Sequence, residues 1–254
     1  MFNSAGENFS KNGSEVIENI YYFPEIPMMD CNVYCIIDNQ TKEIALFDAG
    51  NGISLKPLFE GLLALDLDYN NITKVFLTHE HLDHVIGLYP LMKIMKYNPP
   101  ELFAYGQTAN ILKEGDENKI FPRMLQRQLG ISARDMGIEV GPLEVNDISS
   151  EKEIKVNSEF KFHIYHTPGH SFGSVCYYEP TKKILIPGDL VFTGGNFGRY
   201  DFPGSSLEQL QNSIKNMNEL DVKYLLPGHM GISENGNEQI QLSYKIVMSL
   251  KDYY

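Results

Sequence analysis

The chain has 254 residues, of which 43% are hydrophobic and 21% charged, ordinary globular proportions that exclude disordered, collagen-like and low-complexity classes. At this length folding hides roughly 70–75% of the unfolded surface, so a full core forms without disulfide staples. The net charge of −12 argues against a broad phosphate-binding face and hence against a nucleic-acid partner, and three cysteines (Cys31, Cys35, Cys176) make no disulfide framework and suit a reducing compartment.

The first sixteen residues, MFNSAGENFSKNGSEV, lack the apolar stretch of a signal peptide. No run approaches the roughly 20 apolar residues of a membrane span, and the expectation is a cytoplasmic protein with no membrane partner. In chain order, EVIENIYYF, CNVYCIID, EIALFDAG and KVFLT read as strands, with a helix near 53–66 before the last. Cys31 and Cys35, four apart in a strand, would stand about 13 Å apart on one face, too far to bridge. VIGLYPLMKIMKY has helical spacing up to Pro99-Pro100. The stretch 101–150 holds a strand, ELFAYG, and helices around 107–113 and 121–129. Strands return as IKVNSEFKFHIYH, SVCYYEP and KILIPGD, the last two joined by a hairpin at EPTKK. A helix over 206–218, the strand KYLLPGH and a helix over 238–250 complete the chain. Strands with interleaved helices, twice over, predict two packed sheets with helices outside, in one domain over 1–254. The segment 99–150 is expected to form a lid or a homodimer contact over the cleft, with Arg123 and Arg127 as anion contacts.

Three histidines fall in HEHLDH, residues 79–84, directly after KVFLT. His79 and His81, at i and i+2 in extended chain, project to the same side and can grip one metal, while Asp83 and His84 can face a second. Imidazole with carboxylate suits Zn²⁺, Fe or Mn rather than Ca²⁺ or Mg²⁺. Three further apolar strands run into Pro-Gly turns, each followed by one ligand type: His170, Asp189 and His229. Proline stops the ladder and glycine permits the turn, so each strand end presents one candidate ligand. His163 and His166 lie inside an apolar strand and read as packing or surface residues.

HEHLDH with His170, Asp189 and His229 in that order resembles the metallo-β-lactamase superfamily, and Asp48 in LFDAG resembles that family's first acidic motif. GDLVFTGGNFGRYDFPGSSLEQLQNSI resembles the glyoxalase II-like and persulfide dioxygenase-like branches, with Tyr200 where that segment usually carries Thr. The resemblance implies an α/β fold, the αββα four-layer sandwich of two mixed β-sheets flanked by helices, with the site at one edge. It implies two Zn²⁺ per chain, with Fe or Mn as alternatives. His79, His81 and His170 would hold one ion and Asp83, His84 and His229 the other, with Asp189 bridging. It further implies a dinuclear-metal hydroxide that attacks a carbonyl carbon, oriented by Asp83, with Asp48 hydrogen-bonding behind the ligand loop. Phe192, Arg199 and Tyr200 are candidate substrate contacts.

Departures from the family narrow the reaction. Glyoxalase II proper appends a helical glutathione-binding domain after the last histidine, and only 25 residues follow His229. Acyl-homoserine lactonases carry Tyr where this chain has Phe192. Ribonuclease Z-like processing needs a basic appendage, and the flavodiiron branch has Glu in place of His81. The expectation is a metal-dependent hydrolase of a small thioester, ester or lactone. The alternative is a mononuclear iron persulfide dioxygenase using His79, His170 and Asp189. A catalytically silent scaffold is set aside because Asp83 is intact.

Overall fold

In the computed structural model, which describes residues 11–27 and 29–250, EVIENIYYF is a hairpin rather than one strand. Strands β1 (Ser14–Ile17) and β2 (Ile20–Phe23) pair antiparallel across Glu18-Asn19, with Asn19 at φ +69°, a conformation Asn tolerates in two-residue turns. The meander continues through β3 (Val33–Ile37) and β4 (Ile44–Phe47). Helix α1 (Leu55–Ala64) then crosses over to β5 (Ile72–Phe76), which lies parallel to β4.

The next helical stretch is also divided, into α2 (Leu82–Val85) and α3 (Leu88–Ile94). The amide of Gly87 donates to the carbonyl of Gly50 at 2.9 Å. A Cβ at 87 would lie 2.0 Å from the carbonyl oxygen of Ala49, so only glycine lets the chain pass this close. Strand β6 (Glu101–Ala104), helices α4 (Gly106–Glu114), α5 (Glu117–Ile120) and α6 (Arg123–Leu129), and the short β7 (Asn146–Asp147) complete the first sheet, whose order is β1 to β7.

The second sheet has the order β12-β11-β10-β9-β8. It comprises β8 (Glu153–Lys155), β9 (Lys161–His166), β10 (Val175–Glu179), β11 (Ile184–Gly188) and, after helix α7 (Leu207–Met217), β12 (Tyr224–Pro227). Only β11 and β12 pair in parallel. Helix α8 (Gly236–Ser249) closes the described chain.

Three apolar clusters mark three interfaces between four layers. Along β4, Ile44 and Leu46 join Leu55, Leu58 and Leu62 of α1, whereas Ala45 and Phe47 face the other sheet. Both faces of the strand are covered, so it reads as a continuous apolar run rather than an alternation. Between the sheets the Phe47 ring lies 5.3 Å from Phe162 and 5.2 Å from Tyr177. On the far side Cys176 and Leu185 pack against α7 and α8 through Leu210, Ile214 and Val247. This is the α/β sandwich of two mixed sheets flanked by helices. Cys31, Cys35 and Cys176 are all buried and free. In the segment 99–150, Leu112, Phe121, Ile138 and Val145 are buried in the same cluster as α1 and α3. Among the described residues no helix is long and apolar enough to cross a membrane.

Lys11 and Asp30 form an ion pair of 2.8 Å with both side chains buried. Asp30 also accepts from the Asn51 amide at 3.0 Å and the Ser54 hydroxyl at 2.7 Å. These bonds pin the loop that follows β4, which carries Asp48.

Candidate metal centre

The C-terminal ends of β4, β5, β11 and β12, with the loop after β9, meet at one edge of the sandwich. Asp48 follows β4 directly, His79 to His84 run from β5 into α2, Asp189 follows β11, and His229 lies two residues past β12. Ligand atoms of His79, His81 and His170 lie within 4.8 Å of one another, as do those of His79, His84 and Asp189, and of Asp83, His84 and His229. The shared members make one continuous cluster of all seven residues. Asp189 sits at its middle, 3.2 Å from His229 Nε2, 3.3 Å from His84 Nε2 and 3.5 Å from His170 Nε2.

The far ring nitrogens of four of the five histidines are engaged. His79 Nδ1 meets the Thr78 hydroxyl at 3.0 Å, His84 Nδ1 meets Asp48 Oδ2 at 2.8 Å, and His170 Nδ1 meets the backbone oxygen of Arg199 at 2.7 Å. His229 Nδ1 meets Glu25 Oε2 at 2.7 Å. Asp48 also accepts from the Thr78 amide and hydroxyl, both at 2.8 Å. This leaves the Nε2 atoms of His79, His84 and His170, and Oδ1 of Asp189, buried without a hydrogen-bond partner. An orphaned buried polar atom is costly and rare, and four converge here. Their chemistry, imidazole nitrogen with carboxylate oxygen, is a donor set for Zn²⁺, Fe or Mn, so the residues present fit a bound divalent metal. Gly228 keeps the floor open: a Cβ there would lie 2.3 Å from Asp189 Oδ1 and 2.8 Å from His84 Cε1.

The cluster is electrostatically divided. Burial, reinforced by the neighbouring His84 and His81, holds His79 well below the usual histidine range, and burial with His170 pushes His81 down to about 3. On the other side burial again opposes charge, but Cys31, Asp189 and Asp48 outweigh it and raise His84. Asp189, Asp83 and Glu25 likewise outweigh burial and raise His229. Burial alone would raise the Asp83 and Asp189 carboxyls. The hydrogen bond from His229 and the charge of His84 pull Asp83 down, and the charges of His229 and His84 pull Asp189 well down.

Around the cluster, the Phe192 ring lies 5.7 Å from that of His229, and Phe202 lies 5.4 Å from His81. The Arg199 guanidinium sits 4.3 Å over Phe202 and is gripped by Asp201 at 2.9 and 2.7 Å. Tyr200 is partly exposed on the same segment. Other candidates lie elsewhere. His163 is beside Glu153, His166 stacks on Tyr105 at 4.7 Å, and Arg123, at the start of α6, donates to Asn118 of α5 on the exposed surface. Arg127 is also exposed.

Sequence reasoning missed Glu25, Thr78, Phe202 and Glu80. Glu80 is buried and accepts from Thr108 at 2.8 Å and Ser171 at 3.0 Å, tying the His170 loop to α4. Phe202 and Glu80 stood inside quoted motifs, whereas Glu25 carries no local signal at all.

The family model of the metallo-beta-lactamase superfamily matches residues 27–229. Hydroxyacylglutathione hydrolase GloC of Haemophilus influenzae is 31% identical over 180 residues, 71% of this chain and 76% of that protein. Among solved structures, BLEG-1 B3 metallo-beta-lactamase is similar with a TM-score of 0.68 at 25% identity, over 86% of this chain and 95% of its own. TTHA1623, solved in a di-iron-bound form, is similar with a TM-score of 0.65 at 25% identity, over 85% and 96%.

Proposed function

Since the chain belongs to the metallo-β-lactamase superfamily, we propose that it is a hydrolase that uses two divalent metal ions to cleave a small acyl thioester, with esters and lactones as lesser substrates. The observation that carries this reading is the convergence of three orphaned histidine Nε2 atoms and Asp189 Oδ1 at one sheet edge. His79, His81 and His170 would hold one ion, Asp83, His84 and His229 the other, and Asp189 both. Bound there, the ions supply Lewis-acid polarisation of a carbonyl and a water acidified toward neutrality.

The chain's own residues do the rest. Asp83, whose Oδ2 lies 3.3 Å from His229 Nε2, is ionised before reaction, orients the attacking water by accepting a hydrogen bond from it, and takes that proton as the water oxygen bonds to the carbonyl carbon. That proton is then available at the carboxylate for the departing thiolate. Asp48 keeps the front nitrogen of His84 aimed inward by holding the rear one. Phe192 and Phe202 flank the cluster on two sides and exclude bulk water from the acyl group. Thioesters come first because GloC is named for hydroxyacylglutathione hydrolysis and the match runs through most of both chains.

The test is elemental analysis of protein purified without oxygen, followed by assays on a hydroxyacyl thioester panel. About two ions per chain, thioester turnover, and an Asp83→Ala variant that keeps the first ion but loses turnover are expected. About one iron per chain with oxygen uptake on a persulfide would replace this reading with the dioxygenase one.

A further inference from the structure

Glu25 lies on the connection from β2 to β3, in FPEIPMMDCN, far along the chain from every ligand motif. Both of its carboxylate oxygens act on the last ligand turn. Oε2 accepts from His229 Nδ1 at 2.7 Å, and Oε1 accepts from the Met230 amide at 2.9 Å. The Glu25 amide donates to Asn32 Oδ1 at 2.9 Å. Asn32 then grips the same turn, donating from Nδ2 to the carbonyls of Pro227 at 2.9 Å and Met230 at 2.8 Å, and from its amide to Gly228 at 2.7 Å. Residues of the first sheet thus hold a turn that grows out of the second. Met230 needs that hold, because it sits at φ +66°, a conformation that persists for a non-glycine residue only where its surroundings impose it.

We infer that Glu25 is the positioning residue that makes His229 a metal ligand. Held at two points, the turn cannot swing, and the imidazole keeps its Nδ1 proton toward Glu25. Nε2 then faces Asp83 and Asp189 at 3.3 and 3.2 Å, where a cation would displace its proton. A carboxylate behind a ligating imidazole fixes its tautomer and raises its basicity as a donor. His170 is oriented by a backbone carbonyl, which any residue supplies, whereas at His229 the orientation depends on one side chain. The inference rests on the metal reading above and adds a residue to it.

The experiment is a titration of metal-free protein with Zn²⁺ alone against a chromophoric chelator, for the wild type, Glu25→Ala and Glu25→Gln. Glu25→Ala should weaken the second Zn²⁺ by roughly 10–100-fold and leave the first unchanged. Glu25→Gln, which keeps one acceptor for Nδ1 but not the charge, should fall between. The melting temperature of the metal-free protein should fall only slightly in the variants, since Asn32 still holds the turn through Pro227, Gly228 and Met230. A Glu25→Ala variant with wild-type second-ion affinity, or one that loses both ions equally, overturns the inference while leaving the metal reading standing. A wild-type chain that takes up no Zn²⁺ overturns both.

Discussion

The two halves of the cluster share imidazole donors, with the Asp83 carboxylate added in one of them, and are backed in opposite ways. Behind His79 and His170 stand a hydroxyl and a backbone carbonyl, while behind His84 and His229 stand the carboxylates of Asp48 and Glu25. In the first half burial and mutual repulsion strip protons from His79 and His81, whereas in the second the carboxylates hold protons on His84 and His229. On the proposed two-ion reading, each arrangement would suit a cation by a different route. One gathers neutral donors with no competing proton, and the other gathers negative charge that a proton occupies until a cation displaces it.

The harshest way to break the comparison is to remove what both halves share. Asp189 contacts histidines on each side, so Asp189→Ala should weaken both ions and cut thioester turnover by about 10³-fold or more, read by metal analysis and steady-state kinetics. Retention of one tightly held ion with most of the activity would show that the halves work independently.

A smaller, selective effect is expected from the backing groups. In Asp48→Asn the amide oxygen still accepts from the Thr78 amide, but His84 Nδ1 loses its acceptor, so the second ion should weaken by roughly 10–100-fold. Thr78→Val removes a neutral partner from His79 and should weaken the first ion by about tenfold or less, the scale of one ordinary hydrogen bond. Equal losses in the two variants would erase the distinction between carboxylate and hydroxyl backing.

The gentlest probe is pH. Ligands that carry a proton before binding must release it, so affinity rises with pH while they remain protonated; ligands already neutral give no such slope. His84 and His229 are raised and His79 and His81 lowered. Between about pH 6 and 8, second-ion affinity should therefore climb with pH more steeply than first-ion affinity. Calorimetry in buffers of differing ionisation enthalpy would count the protons released at each step.

Much of the centre was legible in the sequence because its spacing is local. HEHLDH places four donors within six residues after one strand, and three Pro-Gly turns mark the ends of other strands. The strand runs were legible for a similar reason, since apolar character on both faces records burial between two layers. Breaks imposed from a distance were not. The division of the helix at Gly87 follows from the Ala49 and Gly50 carbonyls behind it, and the hairpin at Asn19 was hidden inside an unbroken strand-like composition.

By itself the sequence determined which candidate donors stand at the strand ends, their order, and two packed sheets with helices outside, because residue type, turn residues and hydrophobic period are written in adjacent residues. The tertiary structure alone decided which nitrogen of each ring faces inward and what stands behind it. Glu25 meets His229 across 204 residues of chain, through a contact between two sheets. A carboxylate there looks in sequence like any solvated loop residue, and only the packing of one sheet edge against the other gives it a ligand to hold.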